Sequence, residues 1–85
     1  MGIKQYKAHS LYNLGEVNYK LGQYSDALDN IEKSLKIFSE MGDKLGITFG
    51  LINKAQVYQK LGKYSQSLAI ALKSLKLAQE IGTLE

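Results

Sequence analysis

Apolar residues return every three or four positions along almost the whole chain, the period of a helix with one covered face, and no stretch shows a competing strand signal. Ile3, Tyr6, Leu11, Leu14, Val17 and Leu21 form one such run, predicting a helix that buries this stripe and stops at Gly22. Lys20-Leu21-Gly22-Gln23-Tyr24 reads as a turn whose glycine can take the left-handed backbone that ends a helix. Ser25 and Asp26 suit the first turn of a second helix, where unbonded N–H groups want acceptors. That helix carries Ala27, Leu28, Ile31, Leu35, Ile37 and Phe38 and ends near Met41-Gly42. Asp43 can cap a third helix running to Leu61, and Gly62-Lys63-Tyr64-Ser65 repeats the turn before a fourth helix to about Ile81. The reading is all-α, with four helices of roughly 18 residues, long by globular standards.

Setting Leu11–Asp43 above Leu51–Thr83 aligns fifteen identical residues at a constant offset of 40, with no gap. They include Leu11/Leu51, Asn13/Asn53, Val17/Val57, Gly22/Gly62, Tyr24/Tyr64, Leu28/Leu68, Ser34/Ser74, Leu35/Leu75 and Gly42/Gly82. The chain is therefore two copies of one helical hairpin, residues 3–42 and 43–82, within a single domain spanning residues 1–85. Glycine inside a helix costs about 1 kcal/mol against alanine, so each needs a reason. Gly15, on the predicted buried side beside Leu14, is Ala55 in the second copy, which points to a small residue under a neighbouring helix. Gly46 and Gly50 lack such paired support and mark either close packing or local fraying.

The residues resemble the tetratricopeptide repeat family: Leu14-Gly15 ahead of Lys20-x-Gly22-x-Tyr24, Ala27 three positions on, then Ser34-Leu35, with Lys60-x-Gly62-x-Tyr64 and the aromatic Tyr58 in the second copy. The resemblance covers nearly the whole chain. It departs in spacing, 40 residues against about 34, in lacking the helix-ending proline, and in three polar residues at core positions: Asn18 where Tyr58 stands in the other copy, Lys54 in place of Leu14, and Ser67 in place of Ala27. Such residues can penalise the wrong stacking partner, as in a partly engineered chain. The resemblance implies tandem antiparallel hairpins in a right-handed solenoid that binds proteins or peptides. It implies a groove lined by the first helix of each repeat: His9, Tyr12, Asn13, Glu16, Tyr19 and Lys20, then Phe49, Ile52, Asn53, Gln56, Gln59 and Lys60. A clamp for a peptide carboxylate, known in the family, is disfavoured: Asn53 matches one of its positions, but Tyr12 and Glu16 stand where a lysine and an asparagine are expected.

Two repeats are fewer than the three a solenoid normally needs, because each covers its apolar face with a neighbour. The last helix carries Leu68, Ile70, Ala71, Leu72, Leu75 and Ile81, apolar on more than one side, with only Thr83-Leu84-Glu85 beyond. Cover is expected from another chain by symmetric pairing, end-to-end stacking or helix exchange near Asp43. The expected association surface comprises Asn18, Lys54 and these terminal-helix residues.

Composition narrows the alternatives. With 85 residues, no Cys and one His, neither disulfides nor a metal site can support a thin core. The net charge of +3 comes from residues 46–85, since residues 1–45 balance Lys4, Lys7, Lys20, Lys33, Lys36 and Lys44 against six acids. All eleven cations are lysine, and arginine, the residue that reads guanine edges and clamps phosphates, is absent, which argues against nucleic acid. The start, MGIKQYKAHS, lacks the apolar run of a signal peptide or membrane span, so a cytoplasmic location without membrane contact is expected. No cofactor or metal is expected. His9, with Glu16 two turns along, reads as a surface or groove residue. Lys54, in line with Leu51, Ala55 and Tyr58, is the one residue that invites amine chemistry, against the plainer readings of a lysine reaching water or meeting a polar group at an interface. The sequence points to a non-catalytic interaction or self-assembly module, or alternatively to a peptide-binding groove.

Overall fold

Gly22, Gly42 and Gly62 divide the chain, with φ of 77°, 69° and 78°; no other described residue has a positive φ. Between them the computed structural model, which describes residues 2–82, places α1 (Gly2–Lys20), α2 (Tyr24–Met41), α3 (Lys44–Lys60) and α4 (Tyr64–Gly82). Nothing lies within 4 Å of a Cβ built at any of the three turn glycines, so backbone conformation alone demands glycine there. At the central turn the Gly42 and Asp43 N–H groups bond the Ser39 and Phe38 carbonyls, closing α2. Asp43 then starts α3, its Oδ1 accepting the Gly46 N–H at 2.9 Å. Asp26 lies in the first turn of α2, where its charge faces the positive helix end.

Each helix packs on the next, and α1 touches α3 only lightly. Turns of two or three residues make neighbouring helices antiparallel. The result is a slab of 35 × 28 × 17 Å. Ala27, Ile31, Leu35, Leu51 and Val57 form its buried centre, with Tyr19, Tyr24, Leu28, Ile47 and Ile70 packed around them. The core thus sits where α2 of the first hairpin meets α3 of the second. The helical glycines serve close packing. A Cβ at Gly50 would lie 2.6 Å from Leu35 Cδ2, and one at Gly46 would enter the Phe38 ring, so fraying is not their explanation.

The predicted buried stripe of α1 is a correction. Of its six residues only Leu11 is half-buried; Ile3, Tyr6, Leu14, Val17 and Leu21 are exposed, and α1 covers Ala8 and Gly15 instead. The cause is position in the stack. Val57 in α3 is fully buried, whereas its copy Val17 is 51% exposed, because α3 has α2 on that side and no described helix precedes α1.

Candidate interaction surfaces

Two apolar faces lie open at opposite ends of the stack. On α1, Tyr6, Leu14, Val17 and Leu21 follow the helical period, and on α4, Leu68, Leu72 and Leu75 do the same; all are exposed. Ala71 and Ala78 continue the α4 surface. Ile70 instead turns inward onto the core, and Ile81 is half-buried. Thr83, Leu84 and Glu85 lie outside the described residues.

A third surface is the groove between α1 and α3. Glu16, Tyr19, Lys20, Asn53 and Gln56 surround a cavity of about 270 Å³ floored by Gly15. Tyr12 and Phe49 lie farther along with His9, whose ring meets Phe38 edge-on at 5.2 Å. Asn13 and Lys60 are exposed on the same two helices. Burial pushes the Tyr12 phenol above its ordinary value, and the Glu16 carboxylate adds to the rise. Asn53 is buried, and its Nδ2 has no hydrogen-bond partner, an unusual state for a donor with two protons to place.

The three polar residues at core positions all have partners across a helix pair. Asn18 accepts from Asn30 Nδ2 at 2.8 Å and donates to Gln23 Oε1 at 2.9 Å, joining α1 to α2. Ser67 Oγ donates to the Ala55 carbonyl at 2.7 Å, joining α4 to α3. Lys54 Nζ lies 3.0 Å from Glu32 Oε2, joining α3 to α2, and 5.9 Å from the centre of the Tyr58 ring. The structure therefore places Asn18 and Lys54 between helices of one chain and not on the two open faces.

Residues 8–40 match the sequence pattern of the tetratricopeptide repeat, and residues 50–81 match it again. The chain belongs to the tetratricopeptide repeat family. No curated protein and no solved structure gave a match. Tetratricopeptide repeats generally mediate protein–protein interaction and scaffolding, and proteins built from them are typically not catalysts. Among the described residues no helix is long and apolar enough to cross a membrane.

Of the groove residues expected from the family, Glu16, Tyr19, Lys20, Asn53 and Gln56 line one cavity and His9, Tyr12 and Phe49 a second, whereas Asn13, Ile52, Gln59 and Lys60 line neither. Sequence reasoning placed the apolar association residues on α4 and left the open α1 stripe of Tyr6, Leu14, Val17 and Leu21 out. A signal for them exists in the repeat alignment: the positions where the two repeats differ, read in contacting pairs.

Proposed function

We propose that the chain is a non-catalytic scaffold that associates with further copies of itself through its terminal helices. One observation carries this reading: stripes of the same apolar pattern are covered where α2 meets α3 and open on α1 and α4. Exposed apolar faces of this extent favour association. Sedimentation velocity across a wide dilution series tests it. The mean mass should rise with concentration, and a monomer at every concentration would overturn the reading. Lys54 belongs to the scaffold as a structural cation paired with Glu32; treatment with an aldehyde and borohydride should leave no adduct selective for it.

Asn53 favours a second reading, in which the α1–α3 groove binds an extended peptide. Asn53 lines a cavity that also holds Glu16, so a neutral backbone carbonyl suits the site better than a terminal carboxylate. Titration with peptides amidated at the C-terminus should shift the amide resonances of Asn53 and Gln56, and Asn53→Ala should abolish the shifts. Binding confined to peptides with a carboxylate terminus would contradict this account.

A further inference from the structure

The two hairpins differ at contacting positions in a paired way. Inside each hairpin the contact is present in both copies and can be compared directly. A Cβ at Gly15 would lie 2.8 Å from Ile31 Cγ1; forty residues on, the pair is Ala55 and Ala71, one side larger and the other smaller. Asn18 bonds Asn30, and their equivalents are Tyr58 and Ile70, so a polar pair becomes an apolar pair. Residues that touch have been exchanged together.

The contact between α2 and α3 occurs once within the chain. Its equivalents, shifted by forty residues, are the open face of α4 and the open face of α1. Glu32 and Lys54, an ion pair at 3.0 Å, correspond to Leu72 and Leu14, both apolar and 56% and 49% exposed. Phe38 packs into the space left by Gly46, and the equivalents are Ala78 and Tyr6, small and large in reversed places. Leu35 lies against Gly50, and the equivalents are Leu75 and Ser10, again a large residue facing a small one. In these three pairs the α4 residue complements in size the α1 residue that it would meet if a second copy continued the stack, and Leu72 and Leu14 also match in polarity. These partners occupy opposite ends of one molecule, so no contact within the chain accounts for the match.

We infer that the occupant of each open face is a second copy of this chain, stacked head to tail so that α4 of one copy packs on α1 of the next in the geometry of α2 on α3. The inference rests on the self-association reading above and adds its direction and register. Leu72 meets Leu14 of the next copy, Ala78 meets Tyr6, and Leu75 meets Ser10. A face cannot meet itself in this geometry, so the contact is heterologous and leaves a new open face at each step. Gly82 of one copy and Gly2 of the next both correspond to the Gly42 turn, so the adjoining ends move apart at that point.

Two variants test register and direction together. Leu14→Lys puts a lysine opposite Leu72, and Leu72→Glu puts a glutamate opposite Leu14, so each alone should weaken association about tenfold, since the equivalent Lys54 and Glu32 side chains keep part of their surface in water. Mixed in equal amounts, they should recover association: the glutamate introduced on α4 of one variant meets the lysine introduced on α1 of the other, as Glu32 meets Lys54, and the remaining faces keep leucine against leucine. A chain carrying both substitutions should assemble like the parent. Circular dichroism of each variant should show unchanged helix content, since both sites are exposed within one copy. If the parent associates but mixing restores nothing, or if only one substitution matters, the head-to-tail register is wrong while self-association stands. A parent that stays monomeric removes both.

Discussion

At the scale of single residues, what matters is the partner each side chain faces. Gly46 is the sharpest case, because its hydrogen leaves the space that the Phe38 ring fills. Gly46→Ala should destabilise the fold by about 1–3 kcal/mol in urea unfolding, in spite of alanine's better helix propensity. Tyr12 sets a pH dependence. Its phenol titrates above the ordinary value of 10.0 because burial, and then Glu16, disfavour the phenolate. The folded state holds this proton more tightly than the unfolded chain does, so the contribution is intact below pH 10.0 and is lost as pH rises beyond it through the folded value. Tyr12→Phe should therefore lose less stability than the parent between neutral and strongly alkaline pH, measured by thermal unfolding at a series of pH values. The polar residues at core positions were visible in the sequence, but their partners were not. Asn18 meets Asn30 and Lys54 meets Glu32 across helix pairs, with the partners 12 and 22 positions apart in the chain.

At the scale of elements, helix ends were legible and helix faces only partly so. An end is a local matter: a glycine at positive φ closes the helix, and Asp43 opens α3 through one side-chain bond to Gly46 N–H. Asp43→Ala should cost about 1 kcal/mol and fray the first turn of α3, seen as faster amide exchange at Gly46. A face is different, since periodicity shows which side is apolar but not whether anything covers it. Leu14 and Val17 sit at helical spacing on an apolar stripe, yet both lie open, because α2 packs on α1 from another side and no described helix covers this one. The groove was legible through the family resemblance, which placed Glu16, Tyr19, Lys20, Asn53 and Gln56 on adjacent helices. That Asn53 keeps an unpartnered donor there depends on tertiary packing and left no mark in the sequence.

At the scale of the whole molecule, the centre of the core is one contact between hairpins, α2 on α3, flanked by two half-contacts of matching character. In repeat arrays stability grows with each interface between neighbours. Two copies joined in one chain, with residue 80 of the first followed directly by residue 1 of the second, should unfold at a higher urea concentration than one copy, because the join converts two open faces into a covered contact. An unchanged midpoint would mean that the α4 and α1 faces do not pack.

The exchange of Glu32 and Lys54 for Leu72 and Leu14 also bears on what an assembly would look like along its length. Junctions would alternate, one held by an ion pair and a buried phenylalanine, the next by a leucine pair and a tyrosine. Such an assembly counts in twos. A hairpin slipped by one place would set Lys54 against Leu72 and Glu32 against Leu14, so growth would proceed by whole chains, and the true repeat along such a stack would be two hairpins, with only a pseudo-repeat at each single one.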